Sequence, residues 1–443
     1  MGTEALRASL GKTLTVWTPE DRDFWVREGQ AIANLNLWIS IPALFVAFAV
    51  WQLWSVVAVN LPALGYRFTP NQLFWLAAAP ALSGATLRIF YAFMVPVFGG
   101  RRWTALSTAS LLVPALGIGV AIQSPGTSYG AFLALALLCG LGGANFSSSM
   151  ANINFFFPKE RKGSALGLNA GLGNMGISAV QFLAPLVVAA GVYGPLAGGP
   201  QTVVRAGETV HVWAQNVAFV WVPFIVLFTI AAWLAMNDLS AARASLGEQA
   251  VIFRRKHNWL MCYLYVGTFG SFIGYSAGFP LLIKSQFPEV SALAYAWMGP
   301  FVGAAIRPFG GWLADKVGGA VVTFWDFVVM ALAVLGVLWF LESRNFAGFF
   351  ASFLVLFCAS GIGSGSTFRM IPIIFPPREA SPVLGFVAAI GAYGGFFIPK
   401  SYGTSLEMTG GPQAALYVFI AFYLTCMALT WWYYSRAGAE KPC

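Results

Sequence analysis

Long apolar runs alternating with short polar ones set the rhythm of this chain. They centre on residues 34 to 59, 72 to 98, 103 to 123, 129 to 157, 163 to 190 and 213 to 236, then 258 to 284, 291 to 313, 319 to 341, 347 to 375, 382 to 404 and 413 to 435. About twenty such residues in a helix cross the hydrocarbon core of a bilayer. The pattern predicts an all-α membrane protein of twelve transmembrane helices. Residues 1–33 form an N-terminal segment, 34–236 a first six-helix half, 237–257 a linker, 258–435 a second six-helix half and 436–443 a tail.

Composition agrees: 58% of the 443 residues are hydrophobic and 9% charged, where a soluble domain carries roughly 25% charged residues. The first 33 residues mix acids and bases from Glu20 to Glu28 and lack a short apolar core with a small-residue cleavage site, so no cleaved signal peptide is expected. The net charge of +9 reports orientation rather than nucleic-acid binding. With both termini cytoplasmic, only Arg67, Arg205, Lys284, Arg344 and Lys400 fall outside, Arg88 and Arg307 fall within spans, and the other Lys and Arg lie inside. The two histidines sit in hydrophilic stretches and the five cysteines are widely spaced. Neither suggests a metal site or a disulfide, and no cofactor is expected.

The two halves repeat each other. Arg88 stands eleven residues before the pair Gly99-Gly100, and Arg307 eleven before Gly318-Gly319. At nearly the same offset, FFFPKERKGSALGLNAGLGNMG aligns with IIFPPREASPVLGFVAAIGAYGG, matching Gly167, Gly173 and Gly176 to Gly385, Gly391 and Gly394. Internal repeats related by pseudo-symmetry are a common basis of transporter folds.

Arg88 and Arg307 each lie about eleven residues, or roughly 16 Å, from the inner loop, which places them near mid-membrane. An arginine there costs about 2.5 to 3.5 kcal/mol on insertion scales, and the sequence places no acid at comparable depth. A planar guanidinium fork suits a small planar oxyanion. The competing reading has each arginine satisfying helix carbonyls or snorkelling to the inner surface as part of a gate.

Proton coupling normally uses a carboxylate or histidine within the membrane. Asp315 is assigned to a loop, Glu289, Glu342 and Glu407 to outer ends, and the other acids to the inner side or loops. Anion exchange is therefore favoured over proton symport. Gly167, Gly171, Gly173 and Gly176 in the fifth span and Gly385, Gly391, Gly394 and Gly395 in the eleventh permit either close static packing or helix sliding. Gly167, Gly171 and Asn174 share one helical face. Phe146, Tyr265 and Phe269 read by themselves as core aromatics. A membrane-embedded enzyme would need a nucleophile-base pair or a metal cluster, and none is visible.

GGWLADKVGG, residues 310 to 319, resembles the loop signature of the major facilitator superfamily, with Asp315 and Lys316 at its charged positions; in the first half Pro96 and Val97 replace that pair. GLGGANFSSSMANINFFFP, ALGLNAGLGNMG and GFVAAIGAYGGFFIP look like segments of the nitrate/nitrite porter family. That resemblance implies the major facilitator fold in a bacterial inner membrane, with two pseudo-symmetric halves rocking about one central site. It implies nitrate and nitrite as substrates, Arg88 and Arg307 clasping the anion, Phe146, Tyr265 and Phe269 around it, Asn174 as a polar contact, and the glycines letting helices slide. It further implies a monomer with lipid as surroundings, coupled metabolically to a nitrate reductase. Tyr393, beside the sliding face, has no assigned role. A nitrate/proton symporter and an organic-anion or phosphate exchanger are the alternatives.

Overall fold

A backbone in lipid has no water to bond, so each apolar run satisfies its own N–H and C=O groups by becoming a helix. The computed structural model describes residues 7, 9–205, 208–240 and 250–443. Parts of the predicted N-terminal segment (1–6 and 8) and linker (241–249) lie outside the described residues.

The first half comprises α1 (Arg22–Leu64), α2 (Pro70–Tyr91), α3 (Gly100–Ala121), α4 (Tyr129–Phe156), α5 (Lys159–Val188) and α6 (Asn216–Ala235). The second comprises α7 (Lys256–Gln286), α8 (Met298–Val317), α9 (Gly319–Glu342), α10 (Phe346–Ile374), α11 (Pro377–Gly391, resuming at Gly394–Thr409) and α12 (Gln413–Ser435). Eleven of these are long and apolar enough to span a bilayer. The remaining helix, α8, is twenty residues long but carries Arg307, Asp315 and Lys316, which lower its apolarity.

Side-chain caps mark several starts. Thr69 and Gln72 form a reciprocal capping box on α2, Ser128 accepts from Ala131 N in α4, and Asn345 accepts from Gly348 N in α10. The repeat is visible in the packing: α2 lies along α4 as α8 lies along α10, while α2 against α11 and α5 against α8 join the halves.

The halves differ where their sequences do. The second span was expected to run through residue 98, but α2 ends at Tyr91, turns at Ala92 and Phe93, and a short helix resumes at Met94–Phe98. Pro96 supplies the reason: it has no N–H for the carbonyl of Ala92, and its ring would clash there. The signature stretch of the second half was read as a loop. It is helical to Val317, so Asp315 and Lys316 close α8, and Gly318, at φ +96°, breaks the chain before α9.

On the side where α1 begins and α12 ends, called here the terminal side, β1 (Thr13–Leu14) pairs in parallel with a second two-residue strand, Asp238–Leu239. Asn237 ties it down, its side chain hydrogen bonded to Asn36 at 2.9 Å and to the Ser9 carbonyl at 2.6 Å. Asp238 accepts from the Arg101 backbone N–H at 2.9 Å and from Arg101 Nε at 3.3 Å. An acid thus sits on the exposed N–H groups at the start of α3, supplied from beyond α6 rather than from the loop that lost its Asp-Lys pair. On the far side, Gln201–Arg205 and Glu208–Val212 form an antiparallel hairpin.

Candidate functional site

Arg88 reaches the middle of the bundle because α2 and α4 approach closely there. A Cβ on Gly84 of α2 would stand 3.2 Å from the Gly140 carbonyl of α4 and 2.9 Å from Trp51 Nε1 of α1, and one on Gly143 of α4 would stand 2.5 Å from the same indole. The Arg88 side chain is fully buried. Its Nε donates to the Gly143 carbonyl at 2.8 Å, and its Nη1 donates across the half-to-half boundary to the Ala388 carbonyl of α11 at 2.8 Å. Its Nη2 is buried with no partner. Trp51 and Phe146 hold the guanidinium between aromatic faces, with centroids 5.0 and 4.8 Å from its carbon.

Arg307, half-buried on α8, donates through Nη2 to the Tyr265 hydroxyl at 2.6 Å, and its buried Nη1 has no partner. The ring of Phe269 lies 5.3 Å from the Arg307 guanidinium carbon and 5.5 Å from that of Arg88. One aromatic ring therefore contacts both cations. Phe269 also stacks on Tyr265, at 5.2 Å, and on Phe146, at 6.4 Å.

Tyr265 immediately precedes a π-helical turn, Val266–Gly270, inside α7, and Phe269 lies within it. Such turns inside α-helices often mark functional sites. Here the turn places Phe269 between the arginines while its neighbour Thr268 faces away from them, toward Gly363 of α10.

The energetics are lopsided. A desolvated cation–π contact is worth about 2 kcal/mol, whereas withdrawing a cation from water costs several. Neither arginine is in any of the ion pairs among the described residues. Aromatic walls and three hydrogen bonds leave two buried guanidinium nitrogens over, so the carbonyl-satisfying alternative accounts for part of the Arg88 side chain and for no bond that Arg307 makes. A small oxyanion would take the donors that remain.

Phe146, Tyr265, Phe269 and both arginines are thus brought together. Asn174 is fully buried on α5, and both atoms of its amide lack partners. The glycines divide in two. A Cβ on Gly176 would meet the Phe45 carbonyl, one on Gly173 would stand 2.7 Å from Leu44, one on Gly391 would meet Tyr265, one on Gly394 would meet Gly270, and one on Gly395 would stand 2.6 Å from Ile273. Gly167, Gly171 and Gly385 face open space, all on the terminal-side stretches of their helices.

Among the described residues, the side-chain hydrogen bonds that join the halves lie at mid-span or on the far side. Asn71 bonds both Glu407 and Lys400; Ser178 donates to the Trp297 carbonyl at 2.9 Å, and Gln181 to the Ser276 carbonyl at 2.7 Å. Nearer the arginines, Thr86 and Tyr393 share a bond of 2.8 Å, which gives Tyr393 a structural role. Asp315 pairs with Arg369 of α10, and Lys316 lies over Trp312 at 4.2 Å.

One expectation is corrected. The sequence was read as having no carboxylate within its spans, yet Asp326 lies seven residues, about 10 Å, into α9 and is 6% exposed. It was missed because FWDFVV reads as a continuous apolar run. Trp51, Asp238 and Phe368, whose ring centroid lies 5.6 Å from the Arg307 guanidinium carbon, are likewise not legible in the sequence. Trp51 and Phe368 are indistinguishable in sequence from many other aromatics, and the role of Asp238 depends on a contact far along the chain.

The Major Facilitator Superfamily model matches residues 43–399. The chain is 49% identical to the nitrate/nitrite transporter NarU of Escherichia coli (strain K12), covering 95% of this chain and 96% of that one. It is 42% identical to a Thermus thermophilus protein described as "Probable nitrate/nitrite antiporter NarK2", covering 99% and 100%. Among solved structures, a D-xylose-proton symporter superposes with a TM-score of 0.66 at 14% identity, over 89% of this chain and 96% of that one. A bacterial homologue of the human lysosomal transporter Spinster gives 0.64 at 14% identity, over 89% and 95%. These two likenesses bear on the fold alone.

Proposed function

This chain belongs to the major facilitator superfamily and, within it, to the nitrate/nitrite porters, and we propose that it exchanges nitrate for nitrite by alternating access. The observation that carries this reading is the pair of guanidiniums, each with one buried, unpartnered terminal nitrogen, that both contact the ring of Phe269. Nitrate and nitrite are planar and accept in-plane hydrogen bonds, so a guanidinium edge fits them and an aromatic face covers them. A larger organic anion would need more donors than the two free guanidinium nitrogens.

With the terminal side as the cytoplasm, cross-half bonds close the periplasmic side and open space beside Gly167, Gly171 and Gly385 lies toward the cytoplasm. Rocking the halves would break the bonds of Asn71, Ser178 and Gln181 and bring those three glycines into contact. The five packed glycines let α5 and α11 slide on α1 and α7 in the meantime. The Asp315–Arg369 pair braces the second half, and Asp238 does so in the first.

The protein acts in a bacterial inner membrane as a monomer, as a carrier rather than an enzyme, with a nitrate reductase consuming the imported anion. The test is labelled nitrate uptake into proteoliposomes, with and without internal nitrite, while internal pH is recorded. Uptake that needs internal nitrite and leaves pH unchanged supports exchange. Uptake into empty vesicles with acidification overturns it in favour of proton symport.

A further inference from the structure

The carboxyl of Asp326 is the one buried acid within the spans that the anion site does not use. Its Oδ2 is buried with no hydrogen-bond partner, and Asp326 is in none of the ion pairs among the described residues. Groups from α7, α10 and α12 lie close to it. From α10 come Gly363, which has no side chain to bond it, and Cys358; from α12 comes Tyr423, whose hydroxyl is already engaged with Ser271 and Tyr275; and from α7 comes the methyl of Thr268. Among the described residues, no lysine, arginine or histidine faces it.

Thr268 is the link. It belongs to the π turn of α7, next in sequence to the ring that contacts both arginines and three residues from the tyrosine that bonds Arg307. A Cβ placed on Gly363 would meet Asp326 and Thr268 together, so the carboxyl and the back of the π turn share one contact. An anion at the front of that turn and a negative charge at its back would repel each other through a dry interior, where little screens them. A carboxyl that holds its proton removes that repulsion.

We propose that Asp326 is a proton-binding site linked to the anion site, the anion binding to the form in which Asp326 carries its proton. The proposal rests on the anion-site reading above and deepens it. Linkage is reciprocal: anion binding takes up a proton, and anion affinity falls as pH rises through the titration of Asp326. Exchange remains proton-neutral, because nitrate and nitrite occupy the same protonated form and the proton stays on the carboxyl while one replaces the other.

The test is calorimetric titration of the purified full chain with sodium nitrate from about pH 5.5 to about pH 8.5, in two buffers of different ionisation enthalpy, which yields the protons taken up per anion. Wild type is expected to take up protons and to lose up to about tenfold in affinity per pH unit over part of that range. Asp326→Asn should bind nitrate with neither the pH slope nor the proton uptake, and Asp326→Glu should retain both. Nitrate binding without proton uptake in wild type, or a slope that survives in Asp326→Asn, overturns the link alone; the wild-type measurement decides even if the Asn variant fails to fold. Absence of nitrate binding at every pH overturns the anion-site reading and the link with it.

Discussion

The hydroxyls of Thr86 and Tyr393 lie 2.8 Å apart, bonding α2 of the first half to the break in α11 of the second. Thr86 is two residues from Arg88, whose Nη1 crosses the same boundary to Ala388. These two bonds join the halves beside the site itself. Removing the first should favour conformations in which the halves separate there. Tyr393→Phe loses about 1 kcal/mol of a neutral hydrogen bond, roughly a fivefold shift between conformations. Thiol labelling of a Gly167→Cys reporter, compared in the two backgrounds, should change by about that factor.

Arginine and lysine are not interchangeable at a forked site. Arg88→Lys keeps a charge but loses the contact to Gly143 or Ala388 along with the planar edge. Arg307→Lys likewise loses the geometry of its bond to Tyr265. Each variant is expected to lower nitrate affinity by more than about tenfold, equivalent to about 1.4 kcal/mol, with little change in melting temperature. Nitrate titration and a thermal scan of the same samples check both halves of the statement.

The two classes of glycine predict opposite stability effects. Gly176→Ala pushes a methyl into the Phe45 carbonyl, and such overpacking costs about 1–3 kcal/mol. Gly167→Ala projects into open space and should leave stability within about 0.5 kcal/mol of wild type. Thermal unfolding in detergent separates them. The same Gly167→Ala change should slow exchange, because its methyl stands where the halves must meet when the cytoplasmic side closes.

Asp238 carries the start of α3 by itself. Asp238→Ala leaves the Arg101 backbone N–H and its Nε without their acceptor, at a cost of about 1–3 kcal/mol. Loss of the cap should also free β1, which proteolysis near residue 13 would report as faster cleavage.

A pH effect is expected at the tail. Lys256 and His257 hold the Glu440 carboxyl below its ordinary value of 4.5. Because the value is depressed in the docked state, the tether is intact above pH 4.5 and is lost only as pH falls through the lowered value. Distance measurements between spin labels on the tail and on α7 should show no change down to pH 4.5 and separation below it.

The spans, their pseudo-symmetry and both arginines were legible because lipid imposes a strict rule: a charge in an apolar run has to be explained. The same rule would have found Asp326 had the depth of every acid been counted as carefully as that of the arginines. The aromatics were legible only through resemblance, since Phe146 and Phe269 have the same neighbours in sequence as ordinary core residues. The early end of α2 was implicit in Pro96, whose effect falls four residues before it. What no local pattern conveys is which atoms remain unpartnered. That needs Gly143 and Ala388 in place around Arg88, and Thr268 behind Phe269.

The short pairing of Thr13–Leu14 with Asp238–Leu239 joins the beginning of the first half to its end, so that those six helices form a stitched ring of chain. A ring of this kind has a birth order. During synthesis the first five helices can enter the bilayer one after another, but the stitch waits until residue 239 has left the ribosome, after α6 and before any of α7. The stitch can therefore close the first half before α7 emerges, with Asp238 among the last residues it needs.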